Sequence, residues 1–331
     1  MKRDAVQMGA HTGDATQAEP ACGLRVIKSG PLSLLQDGGR RGWQHIGVSP
    51  AGPMDPYAAA WANRLLDNPR NTSVVEMALG GVAFAVEVDT WLAVTGADMP
   101  LTLDGRRLAG WSRFAVRRGQ HLVLGYARWG QRAYLAAVGG FAATPVLGSV
   151  ATHVQDGLGG LHGDGAPLRR DDWLACAPAP HAHRHRARPV AELVPDYARN
   201  AVIRVIPNLG EGAFEPDAME RFYGQPWEVS VDSDRKGIRL KGERPLSAPA
   251  RQWSQGMVWG AIQVPPDGQP IVLAADRQTM GGYPVIGFVH PLDFGRVCQA
   301  RPKEPVRFLP TTQEEAEADL RASTQLRLRR T

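Results

Sequence analysis

Two stretches of this 331-residue chain gather side chains that can do chemistry. The first runs Gln36-Asp37-Gly38-Gly39-Arg40, then Gly47, then Gly52-Pro53-Met54-Asp55. It sets two carboxylates and an arginine among glycines. Glycine lets a ligand approach the backbone closely, and a guanidinium grips an anion through two parallel donors. The same residues also suit a tight turn with a surface Asp37–Arg40 pair and Asp55 as a plain helix cap. The second stretch runs Gln263-Val264-Pro265-Pro266-Asp267-Gly268-Gln269-Pro270, then Asp276-Arg277-Gln278-Thr279-Met280-Gly281-Gly282-Tyr283-Pro284. Here Asp276, Arg277, Gln278, Thr279 and Tyr283 follow an apolar run. Polar groups at a strand end beside a double glycine suit a binding site on a β-scaffold. Upstream, Asp234-Arg235-Lys236-Gly237-Ile238-Arg239 is a basic turn entering a strand. Arg235 and Arg239 there fit either anion binding or ordinary surface charge.

Other motifs are weaker. No glycine is followed by Lys-Ser or Lys-Thr, so there is no P-loop. Gly157-Leu158-Gly159-Gly160 lacks dinucleotide-binding spacing and reads as a loop. Gly47-Val48-Ser49-Pro50-Ala51 resembles a nucleophile elbow, but Pro50 and Ala51 spoil its strand–turn–helix geometry. His181-Ala182-His183-Arg184-His185 could align three imidazoles, yet its arginine neighbours repel a cation, and a solvated segment is favoured. We therefore expect no metal ligand set in the chain.

These residues must be positioned by a scaffold, and composition narrows it. Glycine and proline number 37 and 26, above average usage of about 7% and 5%. Both break helices, so a mainly β architecture is expected. The net charge is only +5, without a basic stripe interleaved with aromatics, which disfavours nucleic acid. Cys22, Cys176 and Cys298 form no disulfide framework or CxxC knuckle, which suits a reducing cytoplasm. Residues 1–21 lack the apolar core of a signal peptide. The apolar run 133–150 holds Gly139, Gly140 and Pro145, and reads as a strand and turn rather than a membrane span.

Asp55-Pro56 starts a helix, because Asp caps well and Pro tolerates the first helical position. Met54, Ala58, Trp61 and Leu65 form its apolar stripe, and Asn68-Pro69 ends it. Short apolar runs follow at 82–86, 91–95, 114–116, 121–124 and 133–138, spaced as in a barrel or sandwich. A second strand-rich part has runs at 201–206, 227–231, 238–240, 260–264, 270–274 and 285–289. A short helix is expected at 216–222. Thr312 and Glu315 form a capping box for a last helix, whose Ala316 and Leu320 could dock on the barrel. We therefore expect a disordered leader (1–22), an N-terminal β-barrel unit (23–178), a linker (179–200), a C-terminal β-barrel unit (201–311), and a helix with a basic tail (312–331).

At its chemical residues the chain resembles a known family. Gln36-Asp37…Arg40, Gly52…Met54-Asp55, Ala62-Asn63…Asn68 and Glu76 are similar to the first signature of the carboxyltransferase-like proteins, known as allophanate hydrolase subunit 2, KipA or the C subunit of 5-oxoprolinase. Thr95-Gly96-Ala97-Asp98, Tyr134…Gly139-Gly140-Phe141 and Leu147-Gly148-Ser149 continue it. The Asp234–Leu240, Gly260–Ile271 and Asp276–Pro284 segments complete it. The resemblance runs from about Leu24 to Phe308. It implies a cyclophilin-like β-barrel architecture and a place in a multiprotein enzyme. One family type opens 5-oxoproline to glutamate with ATP, alongside a KipI-like B-type subunit plus a LamB/YcsF-like A-type subunit. Another moves a carboxyl group from biotin to urea, and a third has a regulatory binding role, as KipA does.

The chain has no Ala-Met-Lys-Met biotin-attachment motif. The 5-oxoprolinase component therefore fits best, with ATP and Mg²⁺ handled through the complex, and biotin on a partner as the alternative. Phosphorylation of the lactam oxygen would demand cations and carboxylates. Asp37, Arg40, Asp55, Glu76, Asp276 and Arg277 are then the catalytic candidates. Arg235, Arg239, Gln263, Gln278, Thr279 and Tyr283 are the substrate-binding candidates. They come from both halves of the chain, so a cleft between the halves is expected. No nucleic acid, no membrane and a cytoplasmic location complete the expectation.

Overall fold

The structure, a computed structural model, describes residues 22–179, 188–189, 191–210, 213–249 and 253–329. Residues 1–21 of the expected leader and the His181–His185 run lie outside these residues, as do the side chains beyond Ser323, while Cys22 is described.

The first half is two antiparallel sheets. Its strands are β1 Gly23–Ser29, β2 Leu32–Gln36, β3 Val74–Ala78, β4 Val82–Val86, β5 Thr90–Asp98 and β6 Leu101–Leu103. They continue with β7 Arg106–Leu108, β8 Ser112–Val116, β9 His121–Leu124, β10 Trp129–Ala137 and β11 Trp173–Ala175. One sheet has the order β11-β1-β4-β9-β6-β7 and the other β2-β3-β10-β5-β8. Strand alternation explains the burial. In β9, His121 and Val123 face out while Leu122 and Leu124 face in. Leu24, Val26, Phe84 and Leu122 from one sheet meet Leu35, Val75, Leu92 and Leu135 from the other in a single core. The resemblance implies a barrel here. Among the described residues the strands of this half form two facing sheets, whose hydrogen-bonded order ends at β7 and β11 in one and at β2 and β8 in the other.

Helix α1, Pro56–Arg64, lies on the outer face of the second sheet, where Ala58, Ala62, Tyr134 and Ala136 are fully buried together. Its start is as expected: Asp55 accepts a hydrogen bond from the Ala58 N–H, and Pro56 sits at the first helical position. Its end is tied down by Asn68, whose amide donates to Asn63 and to the Ala137 carbonyl.

The second half is a closed seven-stranded barrel. It uses β12 Ala201–Pro207, β13 Trp227–Val229, β14 Gly237–Lys241, a small outlying strand β15 Gln255–Gly256, β16 Ala261–Gln263 and β17 Ile271–Leu273. The outlying β18 Met280–Gly281, then β19 Val285–Val289 and β20 Pro305–Pro310, complete it. The order is β12-β19-β16-β17-β14-β13-β20, closed by parallel pairing of β12 with β20. β15 pairs with β18 outside the barrel. Three helices accompany it: α2 Pro216–Gly224, α3 Phe294–Gln299 and α4 Gln313–Arg329. Phe222 of α2 stacks on Phe308 at 4.6 Å between ring centres. The capping box of α4 forms: Thr312 accepts from the Glu315 N–H, and Glu315 accepts from the Thr312 N–H. Ala316 is buried as expected, while Leu320 is 36% exposed and lines a cleft described below. No helix among the described residues is long and apolar enough to cross a membrane.

Candidate functional site

The two halves meet across a buried polar junction centred on Arg235. This residue leaves the turn before β14 and points back into the first half. Its Nε and Nη2 donate to Asp276 at 2.8 and 2.9 Å, its Nη1 donates to Glu76, and its Nη2 also donates to the Gly52 carbonyl at 2.6 Å. Glu76, on β3, accepts from the Met54 N–H at 2.8 Å and from the Tyr134 hydroxyl at 2.9 Å. Tyr134 in turn accepts from the Asp55 N–H at 2.7 Å. Asp55 accepts from the Tyr197 hydroxyl at 2.6 Å and from the Gln299 amide at 3.0 Å. Gln299, at the end of α3, also receives the Gln131 and Arg132 N–H groups, and so fastens the barrel to β10.

The electrostatics follow from this burial. Burial alone would lower the Arg235 pKa, but Asp276 and Glu76 overcome it and hold the pKa above the ordinary arginine value. Burial raises the Asp55 pKa, against hydrogen bonds from Tyr197, Ala58 and Gln299. Burial, then Glu76 and Asp55, push the Tyr134 phenol far up, so it stays a neutral donor.

These contacts give most of the expected site residues partners within the protein. Asp55, Glu76 and Asp276 are at most 7% exposed, with their oxygens already occupied. They are not free to take a metal ion or a water. Arg235 is engaged by two carboxylates and a carbonyl. Arg40 is 1% exposed and donates to the Ala151 and Val146 carbonyls, with its Nη1 buried and unpartnered, close enough to Asp276 to feel its charge. Asp37 accepts from the Gly39 and Val150 N–H groups at 2.9 Å and from the Ser149 hydroxyl. These two residues clamp the 146–151 loop onto the Asp37–Arg40 turn. Gly38 is required there, because an added Cβ would lie 2.7 Å from the Asn71 side chain.

Beside the junction lies a cleft of about 680 Å³, with walls from both halves. Asp37, Arg41 and Asn71 line one side, and Trp259, Arg277 and Leu292 the other. Leu320 and Ser323 of α4 reach its rim. Arg277 is the buried cation of this lining. It is 6% exposed, makes no ion pair among the described residues, and its only side-chain hydrogen bond is from Nε to the Met257 carbonyl at 3.4 Å. Burial lowers its pKa, the mark of a guanidinium whose desolvation nothing offsets. Two terminal nitrogens are left for a planar anion.

The remaining expected residues fall elsewhere. Gln263 is buried and accepts from the Gln278 amide at 3.0 Å, and the Met257 N–H donates to the Thr279 carbonyl at 2.8 Å. This group holds the 276–279 turn from behind. Tyr283 lines a separate groove of about 850 Å³ with Arg244, Leu246 and Pro266. Arg239 is exposed on the outside of the barrel, because β14 alternates and turns Ile238 and Leu240 inward. Sequence reasoning gave no role to Tyr134, Gln299, Tyr197, Asn71 or Trp259. Only Tyr134 carried a signal, since it stands in the Tyr134…Gly139-Gly140-Phe141 motif that carries the family resemblance. Among the described residues, no group of three or more His, Cys, Asp or Glu side chains is placed to hold a metal ion.

Comparisons with known proteins agree with this architecture. The model of the carboxyltransferase domain, subdomain A and B, matches residues 46–310. The C subunit of 5-oxoprolinase from Escherichia coli is 35% identical over 295 residues, 88% of this chain and 93% of that protein. The protein of the same name from Haemophilus influenzae is 34% identical over 89% of this chain and 93% of its own length. The urea amidolyase of Saccharomyces cerevisiae is 29% identical over 90% of this chain, but this covers only 17% of that larger protein. Among solved structures, the Kluyveromyces lactis urea carboxylase superposes with a TM-score of 0.82 at 27% identity, over 91% of this chain and 28% of that one.

Proposed function

The chain belongs to the carboxyltransferase domain family of subdomain A and B proteins, and on that premise we propose that it is the C-type component of an ATP-dependent 5-oxoprolinase. One observation carries the reading: the match to the C subunit of 5-oxoprolinase spans nearly the full length of both proteins, whereas the urea amidolyase match is a fraction of a larger chain. The cleft is compatible with the substrate. 5-Oxoproline carries one carboxylate on a small, partly apolar lactam ring. Arg277 offers an unpaired guanidinium for the carboxylate, and Trp259, Pro53 and Leu292 offer apolar wall for the ring. Asp276, gripped by Arg235, fixes the turn from which Arg277 projects. The substrate would thus be oriented by this chain.

The ATP and Mg²⁺ that such a complex uses do not fit here. The carboxylates of Asp55, Glu76 and Asp276, which would hold the cation, are sealed and already hydrogen-bonded. We therefore assign the nucleotide to the KipI-like B-type partner together with the LamB/YcsF-like A-type partner, in a cytoplasmic complex. The superposition on urea carboxylase favours a second reading, carboxyl transfer from biotin carried on a partner. A purely regulatory binding role is the third.

The test is glutamate release from 5-oxoproline and ATP, using this chain co-expressed with candidate A-type and B-type partners, each omitted in turn. Activity that needs all three supports the proposal. An assembled complex that leaves 5-oxoproline untouched overturns it, and inhibition by avidin would transfer the assignment to biotin-dependent chemistry.

A further inference from the structure

Cys22 and Cys176 are far apart in sequence and adjacent in space. β1 pairs antiparallel with β11, with Gly23 opposite Ala175 and Leu24 opposite Leu174. Extending the register by one residue sets Cys22 directly opposite Cys176, and the Cys176 N–H donates to the Cys22 carbonyl at 3.1 Å. Directly opposed residues in a hydrogen-bonded antiparallel pair lie about 5.5 Å apart at Cα. That is inside the Cα window of about 4.4–6.8 Å for a disulfide, and closing the bond draws the two Cβ atoms in from the roughly 4.5–5.5 Å of an opposed pair to about 3.5–4.5 Å, a small shift that an edge strand can absorb. Opposed residues also share a face of the sheet, and both cysteines pack on the same core cluster, Cys176 buried and Cys22 half-buried. The strands are close: an added Cβ at Gly23 would lie 2.4 Å from the Leu174 carbonyl oxygen.

We propose that Cys22 and Cys176 are a thiol pair that closes to a cross-strand disulfide by exchange with a low-mass disulfide of the glutathione type. In the first step the Cys22 sulfur, its proton lost to solvent, attacks the small disulfide and expels one small thiolate. In the second, the Cys176 sulfur loses its proton, displaces the other small thiolate from Cys22, and forms the intramolecular bond. Two protein thiols are oxidised and one small disulfide is reduced to two thiols. The order follows from the environment. Cys22 is the accessible partner, while burial, with a contribution from Cys22, pushes the Cys176 thiol up to about 12.

The bond would pin β11, a three-residue edge strand, to β1. β11 is also where the chain departs toward the segment that brings Tyr197 to Asp55. The proposal is independent of the enzymatic reading.

The full chain is equilibrated in buffers of graded oxidised-to-reduced glutathione ratio, quenched, denatured and alkylated, then weighed intact and mapped by peptide. The expected result is that two of the three thiols are lost together in one redox step, leaving Cys298 as the alkylated site and a Cys22–Cys176 cross-linked peptide. The oxidised chain should melt higher than the reduced one. Cys176→Ser should trap glutathione on Cys22, and the half-buried Cys22→Ser, the milder change, should leave Cys176 reduced at every ratio. The idea is overturned if wild type stops at the mixed disulfide, if all three thiols stay alkylatable, or if the oxidised chain melts lower.

Discussion

Arg235 and Arg277 are both buried arginines beside Asp276, and the structure predicts opposite consequences for replacing each with methionine. Arg235→Met removes the cation facing two buried carboxylates. Breaking a buried ion pair by removing one partner costs about 3–5 kcal/mol, and the stranded Gly52 carbonyl adds about 1 kcal/mol or more. Against a domain stability of about 5–15 kcal/mol, that loss leaves the chain marginal. Arg277→Met removes a guanidinium with no carboxylate partner and a single hydrogen bond of 3.4 Å. Its burial was opposed rather than offset, and methionine fills a similar volume, so stability should hold or rise by up to about 1 kcal/mol. Activity should invert the ranking. Two charge-assisted hydrogen bonds to a carboxylate contribute about 3 kcal/mol in all, and at 1.36 kcal/mol per decade this is roughly a 100-fold fall in kcat/KM. On the proposed reading Arg277 holds the substrate carboxylate, which does not react, so the fall should appear mainly in KM. Urea denaturation of the isolated chain and glutamate release by the reconstituted complex read the two quantities separately. Equal destabilisation by both variants would refute the distinction, and so would full activity of a stably folded Arg277→Met.

Two further outcomes follow from the last helix. Burial pushes the Asp293 pKa up, but hydrogen bonds and charge from Arg204 outweigh it, so the carboxyl sits below its ordinary value. A carboxyl depressed in the folded state contributes stability that is complete above its unfolded value, near pH 4, and is lost as pH falls through the lower folded value. Arg204→Met should lower stability at neutral pH, free α4 from the Asp319 contact, and flatten the acid limb. A stability profile parallel to wild type below about pH 4 would contradict this. Thr312→Ala removes the acceptor for the Glu315 N–H and should cost about 1 kcal/mol, seen as faster amide exchange in the first turn of α4. Unchanged exchange there would mean the cap does not hold the helix.

What the sequence disclosed depended on whether the information was local. The start of α1 at Asp55-Pro56 and the Thr312–Glu315 box are fixed by residues three apart, and both form as expected. The strands at 121–124 and 238–240 follow from alternation within a few residues. Elements of few residues carry too little pattern, and β6, β7, β11 and the six-residue α3 went unread. The parallel closure of the barrel by β12 and β20 joins segments about a hundred residues apart, and no periodicity encodes it.

The site shows the same division more sharply. A run of glycines, carboxylates and arginines looks alike whether it binds a ligand or ties two halves together, because both tasks need buried charge at close range. Only the partner tells them apart, and the partner is non-local. Glu76 lies on β3 and Arg235 before β14, yet they meet, while Arg40 in the most conspicuous sequence cluster donates to two carbonyls. Asp276 and Arg277 are consecutive and divide the work: the first is locked into the junction, the second is left unpaired at the cleft. The junction therefore does more than hold the halves. By fixing Asp276 it fixes the turn that presents Arg277, so a change in the junction, such as Asp276→Asn, reaches the cleft through the aim of one neighbouring side chain.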